Sequence, residues 1–281
     1  MMKASKSSLA QAARAIAGAD ALVITAGAGM GVDSGLPDFR GREGFWKAYP
    51  PLAKLGLSFE QIANAAVFDR DPALAWGFYG HRLNLYRQTA PHAGFAELLR
   101  WVKAKRGGGF VFTSNVDGHF PRAGFDPSQV AECHGSIHHF QCTAHCQGAL
   151  WPAPEQLGFT VDESTCRAVG ELPRCPHCGQ LARPNILMFL DSHWVPARSD
   201  AQERALDDWL MAGDRENLTV LEFGAGTAIA SVRRRGERLQ REGATLVRIN
   251  PRESTGPAGT ISLKAGALTA IQALADLVDR P

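Results

Sequence analysis

No run of this sequence is apolar for the roughly 20 residues that a membrane-spanning helix needs. Neither charge sign dominates. The 30 basic and 28 acidic residues leave a net charge of +2, which argues against a polyanion-binding surface, so nucleic acid is not expected as a primary partner. Internal repeats and low-complexity tracts are also missing, which sets aside repeat arrays and compositionally biased segments. The first twenty residues, MMKASKSSLAQAARAIAGAD, lack the apolar core of a secretion signal and read as an Ala-rich helix capped by Ser8. A cytoplasmic enzyme is therefore the expectation. What is present is ordinary for a globular chain, 45% apolar and 21% charged, and 281 residues suffice for one large α/β domain with a smaller module.

Short apolar runs alternate with helical patterns. Strands are expected at Ala21–Ile24, Phe110–Thr113, Leu218–Phe223 and Thr245–Ile249. Helices are expected from Pro72, capped by Asp71, to Gln88, and over Ala93–Lys105, 200–212, Val232–Glu242 and 266–279. A helix-like stretch covers Ser58–Ala63, loops carrying cysteines fill 141–179, and the apolar run Ile186–Leu190 follows. Strand–helix alternation implies a doubly wound parallel sheet, on which ligands bind beyond the carboxyl ends of the strands.

Cysteine is sparse, but four of the six lie in two close pairs, Cys142/Cys146 and Cys175/Cys178. Without a sign of secretion this favours metal over cystine. Four thiolates make a closed tetrahedral zinc site, which holds structure together and leaves no position for a substrate. Cys175-Pro-His-Cys-Gly has a zinc-knuckle form, and Cys142-x3-Cys146 is one residue longer than the usual spacing; His145 and His177 are alternative ligands, and Cys166 is a spectator. Tyr79 and Arg82 form YxxR on one helix face, where a phenol and a guanidinium suit a carboxylate. The alternative is an exposed helix face with the aromatic packed inward.

The centre of the chain is Ala21–Gly41, ALVITAGAGMGVDSGLPDFRG. An apolar strand runs into Gly27, Gly29 and Gly31, which permit a tight turn and close backbone approach to a pyrophosphate. Asp38-Phe39-Arg40 then puts an acid, an aromatic and a guanidinium in one Pro/Gly-framed loop. GAGMGVDSGLPDFRG resembles the signature of the sirtuins, the NAD-dependent protein deacylases. The other motifs follow in family order. Thr113-Ser114-Asn115-Val116-Asp117 resembles Thr-Gln-Asn-Ile-Asp, with Ser114 in place of glutamine. Glu132-Cys133-His134-Gly135 resembles Glu-Leu-His-Gly. The stretch from Arg183 to Asp191 resembles Arg-Pro-x-Val-Val-Phe-Phe-Gly-Glu, with Leu190 for glycine and Asp191 for glutamate. Gly226-Thr227-Ala228 resembles Gly-Thr-Ser.

The resemblance implies a Rossmann-like large domain (about 1–42, 91–136 and 183–281). It also implies a small domain of a helical part (43–90) and a zinc part (137–182). NAD is expected to meet Gly27, Ala28, Gly29, Asp38, Phe39, Arg40, Ser114, Asn115, Asp117, Gly226, Thr227, Ala228, Asn250 and Ala267. Asn115 contacts the nicotinamide ribose and Asp117 the carboxamide. His134 is the general base, a task that a neutral imidazole suits near pH 7. His138 and His139 match no motif and are taken as structural. Acyl-lysine peptide is expected along Phe189, Leu190 and Asp191, and desuccinylating sirtuins use Tyr79 and Arg82's motif for an acidic acyl tail. In the implied reaction the acyl oxygen attacks the nicotinamide ribose, nicotinamide leaves, His134 deprotonates a ribose hydroxyl, and water yields free lysine and O-acyl-ADP-ribose. The altered Leu190-Asp191 segment also admits NAD glycohydrolase or mono-ADP-ribosyltransferase activity. A third class is an NAD-binding sensor without turnover, to which the base would be useless.

Overall fold

Strands whose residues are buried on both faces can only lie inside a sheet covered on both sides, and the apolar runs do so. The computed structural model describes residues 5–37, 41–146, 148–212 and 217–278, without the side chains of 41–43. The chain begins with α1 (Lys6–Gly18) and β1 (Ala21–Ala26), followed by 3₁₀ turns at Ala28–Met30 and Val32–Ser34. A helical insertion follows: α2 (Gly41–Ala48), α3 (Pro50–Lys54), α4 (Phe59–Ile62), α5 (Val67–Arg70) and α6 (Pro72–Gln88). Then come α7 (Ala93–Ala104), β2 (Gly109–Thr113), α8 (His119–Arg122) and β3 (Val130–Glu132). The cysteine segment holds β4 (Gly135–Cys142), β5 (Leu150–Pro152), β6 (Phe159–Asp162), β7 (Arg167–Gly170) and β8 (Ala182–Ile186). The last stretch is α9 (Ala197–Met211), β9 (Leu218–Phe223), α10 (Ser231–Arg241), β10 (Thr245–Ile249), β11 (Ile261–Leu263) and α11 (Ala267–Val278).

Six strands form one sheet in the order β11-β10-β9-β1-β2-β3, and every pairing in it is parallel. On one face Ile16, Leu98, Trp101, Ile271 and Leu274 from α1, α7 and α11 pack on Leu22, Ile24, Val111 and Leu221. On the other, Leu206, Val232 and Leu239 from α9 and α10 cover Phe110, Phe112, Val220 and Leu246. This is the doubly wound sheet expected. Its order reverses at β1, between β2 and β9, which opens a crevice beyond those strand ends.

Two boundaries differ from the sequence expectation. Ser5, not Ser8, caps α1, because its hydroxyl accepts from the Ser8 N–H at 3.0 Å. The 141–179 region is not all loop, since it holds β5, which joins the flanking β4 and β8 in an antiparallel sheet, and the β6–β7 hairpin. The Asp71 cap and Pro72 at the first position of α6 are as expected, with Asp71 Oδ1 accepting from Leu74 N–H at 3.2 Å.

The helical insertion and the cysteine segment share a second core, in which Phe45, Trp76, Phe78 and Tyr79 meet Phe140, Phe159 and Ile186. Trp76 Nε1–H donates to Ala182 O at 2.9 Å. The β6–β7 hairpin lies so close to α6 that a Cβ on Gly77 would stand 2.0 Å from Cys166 O. Asp71 also ties the two parts, accepting two hydrogen bonds from Arg167 at 2.9 and 2.7 Å.

Candidate functional site

Beyond the ends of β1 and β9 two glycine turns press together. A Cβ on Gly27 would sit 2.9 Å from Ala225 Cα, and one on Gly224 (φ +58°) 2.4 Å from Gly29 Cα. Only bare backbone fits there, so Gly27, Ala28 and Gly29 share one rim of the crevice with the turn that leads to Gly226. Asp38, Phe39 and Arg40 lie outside the described residues.

From β2, Thr113 Oγ1 donates to Ala26 O at 3.0 Å and accepts from Asn115 N–H at 3.0 Å, while Ser114 N–H donates to Ala26 O. Ser114 and Asn115 thus start beside the end of β1. Asp117 is buried, its carboxylate accepting from His119 N–H at 2.9 Å. His138 Nε2 meets Asp117 O at 2.9 Å and so braces the same turn.

His134 follows β3, whose last residue is held by α9. Arg198 pairs with Glu132 at 2.6 Å, and Ser199 Oγ–H donates to Glu132 O at 2.8 Å. Behind His134, Gly135 (φ +78°) lies where a Cβ would stand 2.1 Å from Asn185 O. Leu187 N–H donates to His134 O at 3.0 Å. The backbone of His134 is therefore fixed from both sides. Its Nε2 stands 3.3 Å from Ser231 Oγ, and burial holds its pKa below the ordinary histidine value. The neutral imidazole is the favoured form, as a proton acceptor requires.

The third wall follows β9 and β10. Gly226 is half-buried, and Thr227 and Ala228 are exposed. Asn250 is buried, with Nδ2 donating to Ala225 O at 2.9 Å and Oδ1 accepting from the N–H groups of Arg252 and Glu253. Its visible contacts shape the loops at the strand ends. Ala267 is buried at the start of α11, which Asp33 draws to the first turn by accepting from Leu268 N–H at 2.8 Å. Asp33 lies within the glycine-rich signature but was given no role there, and Ser231 belongs to no motif singled out from the sequence. Each joins segments far apart in the chain, so no local signal could have marked them.

Phe189, Leu190 and Asp191 lie beyond β8. Phe189 N–H donates to Ala63 O at 2.9 Å, and Leu190 has φ +53° with its side chain 91% exposed. Asp191 differs from expectation. Its buried carboxylate is gripped by Arg183 at 2.7 and 2.8 Å and accepts from the N–H groups of Met188 and His193. Asp191 therefore shapes the loop from within, and Leu190 is its outward side.

Tyr79 and Arg82 do share a face of α6, but that face is not exposed. Arg82 is buried against Phe78 and Tyr86, with Nε and Nη2 donating to the Tyr86 hydroxyl at 3.1 and 2.7 Å. Among the described residues the buried Tyr79 hydroxyl has no hydrogen-bond partner, and burial pushes its pKa up. A cavity of about 380 Å³ opens elsewhere, between α3, α6 and the β6–β7 hairpin, where the Tyr49 hydroxyl meets His81 Nδ1 at 3.0 Å. No residue expected to bind NAD, acyl-lysine or metal lines it.

Cys142, Cys146, Cys175 and Cys178 place their four Sγ atoms within 4.8 Å of one another, Cys142–Cys178 at 3.5 Å and Cys146–Cys175 at 3.6 Å. Zinc–sulfur bonds of about 2.3 Å give a tetrahedron with edges of about 3.8 Å, so the thiolates fit one zinc. The longer first spacing is no obstacle, and among the described residues no histidine joins the group.

Comparison with known proteins agrees with this arrangement. The Sir2 family profile matches residues 27–208. A protein named NAD-dependent protein deacylase from Pyrococcus furiosus is 32% identical over 184 residues, 64% of this chain and 65% of that protein. One of the same name from Thermus thermophilus is 29% identical over 265 residues, 92% of this chain and 91% of the relative. A solved Sir2 homologue bound to ADP-ribose superposes with a TM-score of 0.70 at 25% identity, covering 95% of each chain. The profile spans more than half of the chain, from the first glycine turn into α9, and the chain belongs to the Sir2 family.

Proposed function

We propose that this protein is an NAD-dependent protein lysine deacylase, with acylated lysine side chains of proteins as its substrates. The observation that carries the reading is His134: a neutral, backbone-locked imidazole that meets Ser231 at the start of α10, the helix that follows the Gly224–Gly226 turn. When bound, NAD supplies an electrophilic ribose carbon, nicotinamide as leaving group, and the hydroxyl that carries the acyl group away. The chain's part is to hold that ribose at Asn115 and the nicotinamide carboxamide at Asp117, exclude water until the acyl oxygen is placed, and take a hydroxyl proton on His134. Gly27, Ala28, Gly29, Asp38, Phe39, Arg40, Ser114, Gly226, Thr227, Ala228, Asn250 and Ala267 line or shape the NAD site, and the four-cysteine zinc is structural.

Phe189 and Leu190 border the peptide, and buried Arg82 with the unpartnered Tyr79 hydroxyl favours an acyl tail that brings a carboxylate. The large domain comprises about 1–42, 91–136 and 183–281. The small domain comprises 43–90 and 137–182, a division supported by the separate second core. The protein works in the cytoplasm, without nucleic acid as a primary partner. In support, no helix among the described residues is long and apolar enough to cross a membrane.

The test is mass spectrometry after incubation with NAD and acetyl-, succinyl- and long-chain-acyl-lysine peptides. Deacylated peptide with O-acyl-ADP-ribose is expected, with succinyl preferred. A second reading, NAD glycohydrolase or mono-ADP-ribosyltransferase, is favoured by Leu190, a strained, outward-facing leucine on the peptide edge. ADP-ribose and nicotinamide with every peptide untouched would establish NAD cleavage and remove the deacylase.

A further inference from the structure

The His134 imidazole is half-buried, and among the described residues one side chain lies in hydrogen-bond reach of it, Ser231, at 3.3 Å from Nε2. Ser231 opens α10, whose N-cap, Ala230, has no side-chain oxygen. A serine at such a helix start commonly spends its hydroxyl on free backbone N–H groups. Here the hydroxyl faces a histidine 97 residues earlier in the chain.

The position of Ser231 is itself rigid. Arg233, buried in the first turn of α10, donates to the carbonyls of Ala225, Glu253 and Thr255, at 3.3, 3.0 and 2.8 Å for the shortest contact with each. On the next turn face Arg235 pairs with Asp207 at 2.7 Å and Glu203 at 3.1 Å, fastening α10 to α9. The same α9 holds Glu132 at the root of His134 through Arg198 and Ser199. His134 and Ser231 are therefore presented to each other from one braced frame. A hydroxyl can donate to an imidazole nitrogen that carries a lone pair and accept from one that carries a proton. The contact can persist in both protonation states without movement of either backbone.

We infer that Ser231 is a positioning residue for His134, orienting its imidazole and coupling the base to the Gly226–Ala228 turn that precedes α10. The inference rests on the deacylase reading for its kinetic consequence and on geometry alone for its structural one. Proton removal from the ribose hydroxyl comes after nicotinamide departs. Misorienting the base should therefore spare nicotinamide exchange into NAD and impair O-acyl-ADP-ribose formation.

The test compares wild type, S231A and S231T, each folded as judged by thermal melting, in both assays with one acyl-lysine peptide. For S231A, product formation should fall about tenfold or more, the scale of one lost hydrogen bond in a transition state, with exchange within about twofold of wild type. S231T, which keeps the hydroxyl, should recover most of the product rate. Unchanged product formation in S231A would overturn the inference. So would an equal loss of both activities, or failure of S231T to rescue. The ring contact is read separately, from the imidazole nitrogen resonances of His134 by NMR, identified with H134A. S231A should shift them and S231T restore them; no shift would overturn the positioning role even in a protein that never deacylates. Wild type that forms no O-acyl-ADP-ribose while the His134 signals still respond to S231A would remove the deacylase reading and leave the contact standing.

Discussion

At the scale of single residues, the site depends on side chains whose surroundings leave them one state. Burial alone depresses the pKa of His134, so the imidazole is neutral and its lone pair available. His134→Ala should reduce deacylation by at least about a hundredfold, the lower range for general base catalysis, while NAD binding by calorimetry stays near wild type. Full activity in that variant would remove His134 as the base. Asp191 makes the opposite point, because its charge is consumed inside the protein by Arg183. Removing one partner of a buried pair strands the other charge, so Asp191→Ala should cost about 3–5 kcal/mol in urea unfolding. A loss under about 1 kcal/mol, the scale of an exposed pair, would mean that the pair is solvated in solution.

At the scale of elements, close packing at glycine decides which segments can meet. Gly77 sits in the middle of α6, where glycine is intrinsically unfavourable by up to about 1 kcal/mol relative to alanine. An exposed helix would gain from Gly77→Ala. Here the new methyl would be driven to 2.0 Å from Cys166 O, so the β6–β7 hairpin would have to move. Gly77→Ala should therefore destabilise the protein by about 1–3 kcal/mol or more, with the change visible first in amide exchange of 159–170. A stabilised variant would show that the hairpin does not lie on α6. The glycines after β1 and β9 follow the same logic, and there the close approach creates the crevice itself.

At the scale of the whole molecule, burial governs how the fold responds to acid. Six of the nine histidines, His81, His92, His119, His134, His138 and His139, have pKa values lowered by burial, His139 to about 4. A depressed folded-state pKa means that the unfolded chain binds protons first as pH falls. These groups thus favour the folded state above their unfolded pKa, and that contribution is lost as pH drops through the window down to the folded values. The melting temperature should fall steadily between about pH 6.5 and pH 4. A flat profile across that window would mean that these imidazoles are solvated.

Much of this was legible in the sequence because it depends on neighbours in the chain. The alternation of apolar runs with helical patterns determined the parallel sheet, since strands apolar on every face must be covered on both sides. The Asp71-Pro72 start of α6, the glycine turn at Gly27–Gly31 and the paired cysteines were local for the same reason: backbone conformation and ligand chemistry act over a few residues. The tertiary structure alone decided which distant partners meet. It turned Asp191 inward onto Arg183, buried Arg82 among aromatics, joined Asp33 to α11 and brought Ser231 to His134. The last two contacts arise where segments far apart in the chain converge, and no spacing within one segment encodes which side chain will arrive from another. Arg183 and Asp191, and Arg82 and Tyr86, are near in sequence, and there the surrounding fold decided that they would be buried.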